Sequence, residues 1–166
     1  TSATPEDLAE LCSTPHDDVA STLIRALSEG QAVVLRVDRR TILDQPLLLD
    51  VNAEGEVCSL HLLLDIGVMA ELEIVTSVTG DADWFGILRE GRIGAGAHLN
   101  DVVVNRLGAG QMLRVDGSSL DRDSQVQAGT VGAGAKRAKA DLRYELAGPG
   151  ASIWVNGSMT SMGKQH

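Results

Sequence analysis

Aromatic side chains are scarce: two Trp, one Tyr and one Phe in 166 residues. A chain so poor in flat rings has little with which to stack bases or sugars. Basic residues are outnumbered, 14 Lys and Arg against 23 Asp and Glu, for a formal net charge of -9. That balance argues against a nucleic-acid partner and against an anionic membrane face, since both need clustered positive charge. Cysteine is sparse too. Cys12 and Cys58 are 46 residues apart, with no CxxC and no four-ligand zinc spacing, which points to a reduced, cytoplasmic protein without a disulfide. No run of 18 apolar residues is available to span a membrane as a helix. No basic segment leads into an apolar one at the start, so no signal peptide is expected. The first residue is Thr1 rather than Met, and the chain is expected to begin inside a longer gene product or after processing.

What remains is a globular composition, 43% hydrophobic and 22% charged, at a length that lets one domain bury a core without staples. The opening 30 residues read as helical. Thr4-Pro5-Glu6-Asp7 combines a capping Thr, a Pro at the first helical position and an acidic residue completing a capping-box pattern. Thr14-Pro15 repeats the signal, with His16 in the first turn. Val19, Leu23, Ala26 and Leu27 then share one helical face, and Gly30 stands at a C-cap position. Two short helices are predicted, over about 5–12 and 15–29, as a docking element that caps one end of the core.

From Val33 onward the pattern changes to short runs of Val, Ile and Leu punctuated by Gly, Asp and Asn. Four runs align: Ala70 to Ile74, Ala97 to Asp101, Ser124 to Ala128 and Ala151 to Val155, each starting 27 residues after the last. A second strand precedes each at a common phase: Val57 to Leu64, Trp84 to Glu90, Gln111 to Ser118 and Ala138 to Glu145. Turn residues such as Gly94-Ala95-Gly96 and Gly148-Pro149-Gly150 part the two strands of a unit. A fixed period with two strands per unit signals a solenoid, because one unit cannot bury its own apolar face and must stack on its neighbours. The predicted fold is therefore mainly β: a parallel β-helix of 27-residue two-strand repeats over residues 31–166, behind an N-terminal helical segment over 1–30. Small residues and glycines at the corners let the chain turn tightly.

Residues 141–157, Asp-Leu-Arg-Tyr-Glu-Leu-Ala-Gly-Pro-Gly-Ala-Ser-Ile-Trp-Val-Asn-Gly, resemble a conserved-looking stretch of the SufB/SufD family, which continues into a run like Gln165-His166. Leu60 to Val75 is similar to that family's strand pair, and Gly94 to Leu99 to its Gly-Ala turn. The resemblance covers about 40–166. It implies a right-handed parallel β-helix and a scaffold subunit of the SUF iron–sulfur cluster assembly machinery, performing no chemistry of its own. The implied partners are a SufC-like ABC ATPase and a second SufB/SufD-like scaffold subunit, or itself as a homodimer. A transient iron–sulfur cluster in the full complex is implied, with no cofactor in this chain. The family continues past the equivalent of His166, so the chain is expected to be the N-terminal part of that core. The family's functional Cys, His and Glu positions lie beyond it, and none carries over to a residue here.

No catalytic, cofactor-binding or metal residue is assigned from the sequence. Cys58 alternates with Leu60, Leu62 and Leu64 and is expected to face the core as a small hydrophobe, whereas His61, three residues on, points the other way. His98 is expected on the solvent side of its strand, and His166 is terminal. Asp81, Asp83, Asp121 and Asp123 read as turn residues. Gly91 to Gly96 lacks the Lys-Ser/Thr of a phosphate loop and opens no helix. Gly94-Ala95-Gly96-Ala97-His98 resembles the hexapeptide of left-handed β-helix acyltransferases, but the six-residue aliphatic period fails at Asn105 and Gln111. A polysaccharide-processing β-helix lacks the aromatic groove it would need. A stand-alone β-helix protein-binding module is the remaining alternative.

Overall fold

The structure, a computed structural model, describes residues 1–15 and 18–160. His16, Gln165 and His166 lie outside the described residues. Among the described residues ten strands follow two helices, α1 (Pro5–Leu11) and α2 (Val19–Leu27). The strands are β1 (Val33–Val37), β2 (Leu47–Ala53), β3 (Val57–Ile66), β4 (Glu71–Gly80), β5 (Trp84–Ile93), β6 (His98–Asn105), β7 (Gln111–Leu120), β8 (Gln125–Gly132), β9 (Arg137–Leu146) and β10 (Ser152–Met159). Odd strands form one parallel sheet in the order β1-β3-β5-β7-β9, and even strands the other, β10-β8-β6-β4-β2. The chain winds through about five turns of a parallel solenoid.

The 27-residue period is the pairing register itself. Leu47 pairs with Ile74, Glu71 with His98, His98 with Gln125 and Gln125 with Ser152. In the odd sheet Val57 pairs with Trp84 and Trp84 with Gln111. Two places depart from it. Gln111 pairs with Arg137, not Ala138, because residues 133–136 form a connection one residue shorter than 106–110 in the preceding coil. Residues 147–151 then give that residue back, one longer than 121–124. At the other end, β1 and β2 add a first turn that the four aligned repeats did not include, and Val33 pairs with Leu62 at a spacing of 29.

Inward positions build the core. Leu62, Leu64 and Ile66 stack with Leu72, Ile74, Ile93, Leu99, Leu120 and Val126. Phe85, Ile87, Val78 and Val103 form a second group against which Cys58 packs, as alternation predicts. β4, β6 and the first half of β8 alternate buried with more open positions, whereas β5 and β7 are buried almost throughout. The difference is the helical layer. Both helices lie on the outer face of the odd sheet, against β3, β5 and, for α2, β7, so those strands are covered on both faces. The N-terminal segment also meets the free edge of the first coil, through residues 1–3: Ser2 bridges Val33 antiparallel, and Ala3 donates its N–H to the Ala32 carbonyl at 2.8 Å. An edge strand is thereby blunted by a short extended arm.

One corner explains three glycines. A Cβ on Gly67 would lie 2.5 Å from Arg39 N, on Gly94 2.7 Å from Val68 N and on Gly148 2.2 Å from Arg122 N. Successive coils approach there more closely than any side chain permits.

The helices differ from expectation in detail. Thr4 and Asp7 form the full capping box of α1. Asp18, not Thr14, caps α2, its carboxylate accepting from Ser21 N at 2.7 Å. The face chosen by apolar spacing points outward: Val19 is 81% exposed, Leu23 45% and Leu27 40%. The buried face carries Ala20, Ser21 and Ile24, with Ile24 packed on Leu88 and Val115, and Arg25 beside them faces the sheet. Only that face brings Arg25 to a buried carboxylate, and an unpaired buried charge costs more than leaving Leu23 and Leu27 partly in water. Replacing Ile24 by Ala is expected to cost about 2–5 kcal/mol in chemical denaturation. Leu23→Ala is expected to stay within about 0.5 kcal/mol of wild type; equal losses would show that the outward stripe is packed after all.

Candidate functional site

Beneath the helices, outward positions of the odd sheet carry polar side chains. Alternation points His61, Leu63 and Asp65 of β3 away from the core, and Leu88, Glu90 and Arg92 of β5 likewise. Leu63 pairs with Glu90 and Glu90 with Gly117. Glu90 is therefore held in a lane with an apolar neighbour on one side and a glycine on the other. Gly117 leaves room for the chain overhead: a Cβ there would lie 2.3 Å from Thr14 Cγ2, and Ser13 donates its hydroxyl to the Gly117 carbonyl at 2.7 Å.

Glu90 is fully buried and is the hub of the layer. Its Oε2 accepts from Thr14 N at 2.7 Å, from Thr14 Oγ1 at 2.5 Å and from Arg25 Nη2 at 2.7 Å. Its Oε1 accepts from Arg25 Nη2 at 2.8 Å and Arg25 Nε at 3.1 Å, and meets His61 Nε2 at 2.9 Å. Arg25 also donates to the Thr14 hydroxyl and carbonyl. Burial alone would raise the Glu90 carboxyl; hydrogen bonds from His61, Thr14 and Arg25 outweigh it and hold the group down at about 2. Cys12, the C-cap of α1, completes the cluster, and single donor atoms of Cys12, His61 and Glu90 all lie within 4.8 Å of one another. Burial, then the Glu90 charge, push the Cys12 thiol up to about 11. Burial and the Glu90 charge thus disfavour the thiolate, the form in which a cysteine acts as a nucleophile.

A second polar set lies inside the solenoid. Arg89 Nη2 donates to Asp101 Oδ1 across the two sheets at 2.7 Å, and Arg89 lies 3.4 Å from Asp116. Arg114 binds Asp116 through Nε and Nη2, at 3.0 and 2.5 Å, and donates to Thr130 Oγ1 at 2.9 Å. All four charged groups are buried, and two arginines balance two aspartates. Burial and the two aspartates push the neighbouring Tyr144 hydroxyl above its usual range. On the outer surface Asp7, Arg36, Asp65, Arg92 and Glu10 form a chain of ion pairs that fastens α1 to β1, β3 and β5.

The residues singled out in the sequence fall elsewhere. Cys58 and His61 point to opposite faces, as expected. His98 is exposed, and Asp81, Asp83, Asp121 and Asp123 are exposed next to turns. Sequence reasoning did not bring Cys12, Thr14 and Arg25 to Glu90, because those contacts join segments 65 and 76 residues apart. The interior pair did carry a signal. Arg89 and Asp116 have opposite charge, inward parity and the 27-residue spacing, which together put them side by side.

No family model matches the chain, and neither the curated proteins nor the solved structures contain a match to it. No described helix is long and apolar enough to cross a membrane.

Replacing Glu90 by Ala strands Arg25 and Thr14 and is expected to cost about 3–5 kcal/mol in denaturant melts. The acid response has a definite sign. The carboxyl is held at about 2 in the fold against an ordinary 4.5, so its stabilisation is present above 4.5 and drains away as pH falls towards 2. Glu90→Gln is expected to flatten stability against pH across that window; a profile parallel to wild type would show that other carboxylates govern acid unfolding.

Proposed function

We propose that this chain is a non-enzymatic scaffold: the β-helix of a SufB/SufD-like subunit in SUF iron–sulfur cluster assembly. In this reading it pairs with another scaffold subunit or with itself and works with a SufC-like ABC ATPase. The observation that carries it is the parallel two-strand solenoid with a 27-residue turn, the architecture that the resemblance over residues 40–166 implies. The polar groups are consistent with a structural role. Glu90, Arg89, Asp101, Arg114 and Asp116 are each tied to partners within the chain, and the Cys12 thiol is held protonated at neutral pH.

Among the described residues β9 and β10 are the outermost strands of their sheets, and Leu146, Trp154, Val155 and Met159 within them are exposed. The outermost strand of a parallel sheet pairs through main-chain hydrogen bonds with whatever strand is laid beside it, a further coil of the same protein or a strand of a partner, and alternating side chains set the register. The test is a deletion of residues 125–151, one coil in register, since Gln125 and Ser152 are paired neighbours. In the native gene product this deletion should leave soluble protein that no longer retains a scaffold subunit and an ABC-type ATPase in affinity capture. Retention unchanged by the deletion would overturn the assignment of pairing to the last coils. A wild-type product that retains no ABC-type ATPase would shift the reading to a stand-alone binding module.

A further inference from the structure

The Cys12, His61 and Glu90 cluster has a composition that its role as a fastening does not require. Thr14 and Arg25 already satisfy Glu90. A thiol and an imidazole beside the same carboxylate are the donors that a borderline-soft divalent cation selects. They come from three separate segments, the end of α1, β3 and β5, yet one donor atom from each lies within 4.8 Å of the others. His61 Nε2 and Glu90 Oε1 are 2.9 Å apart, and two ligands of a tetrahedral ion with bonds of about 2.0–2.1 Å stand about 3.3 Å apart. The pair therefore needs to open by only a few tenths of an ångström.

We propose that Cys12, His61 and Glu90 form a three-ligand site for a thiophilic divalent metal ion of the zinc type, which Arg25 holds closed when the ion is absent. The site completes its fourth position with water. Arg25 is the stand-in cation. Its guanidinium lies on Glu90, one of its nitrogens, Nη1, finds no partner, and its side chain is 17% exposed at the margin of the helical layer. A long flexible side chain in that place can turn its head into water when a stronger cation arrives. Thr14 stays on Oε2 and orients the carboxylate, as outer-shell donors do around ligating groups. Cys12 is half-buried, and His61, itself buried, borders an open groove of about 610 Å³ between β3 and the chain that follows α2, so two of the three donors lie near solvent. Ligation takes the thiol proton from Cys12 into solvent, while His61 binds as neutral imidazole. The inference is independent of the scaffold reading, because it concerns only ion binding by the isolated protein.

The test is Co2+ titrated into reduced, chelator-treated protein and followed by absorbance. Wild type should develop a sulfur-to-cobalt charge-transfer band together with the visible bands of tetrahedral Co2+, and should release one proton per ion in weakly buffered solution. Cys58→Ser leaves Cys12 as the single thiol and should keep the band. Cys12→Ser should abolish it. Removing the competitor with Arg25→Gln should tighten Co2+ binding by about tenfold, the scale of outer-shell effects on metal sites. No charge-transfer band in wild type, or a band lost in Cys58→Ser, overturns the site. Unchanged affinity in Arg25→Gln overturns the competition with Arg25.

Discussion

The fold depends on one repeated demand: each coil must lay its inward side chains over those of the coil before it. Parallel strands give no choice in this, because a slip of one residue turns every side chain to the opposite face. The connections absorb whatever irregularity the chain contains. A residue lost in 133–136 displaces β9 by one against β7, and a residue gained in 147–151 restores β10 to the 27-residue spacing from β8. The even sheet thus keeps a constant register through all of its strands, and the odd sheet bears the correction. Close approach at the corner of Gly67, Gly94 and Gly148 follows from the same stacking, since coils in register bring their turns into contact.

Charge inside the solenoid is tolerated on the same terms. Arg89, Asp101, Asp116 and Arg114 would each be costly to bury alone. Stacking at the strand spacing of about 4.8 Å puts them within reach of one another. The pairings are also directional. Arg89 in β5 reaches Asp116 in the next coil and Asp101 in the opposite sheet, so one cluster ties two coils and both sheets together. A coil shifted by one residue would turn one partner outward and leave the other buried without a counter-charge. The buried charges thereby penalise the wrong register more severely than an aliphatic ladder would, which is the use for which buried ionic groups are best attested.

Much of this was legible in the sequence because it is local or periodic. The capping box at Thr4 and Asp7 is four residues long. The solenoid and the inward placement of Cys58 follow from periods of 27 and 2. The first turn was harder to see, because residues 38–46 lengthen the connection between β1 and β2 and break the period at a spacing of 29. The helical layer was harder still. Apolar spacing marked Val19, Leu23 and Leu27 as the inner face of α2, and Thr14 as its cap, and both assignments gave way to the same carboxylate. Thr14 gives its hydroxyl and its N–H to Glu90, so the capping role passes to Asp18.

The layer and the solenoid are consequently not two structures that happen to touch. Glu90 occupies a lane opened by Gly117 and walled by Leu63, and among the described residues His61 is the one group of the sheet bonded to its carboxylate. Without Thr14 and Arg25 its charge would lie on an apolar sheet face with one hydrogen bond. With them the carboxylate accepts from Thr14, Arg25 and His61 together, and its demand for donors overrides the amphipathic preference of α2. A single acidic residue on the outside of a β-helix coil thus decides where the chain before it must lie. The apolar stripe left on the outer surface of α2 is the cost of meeting that demand.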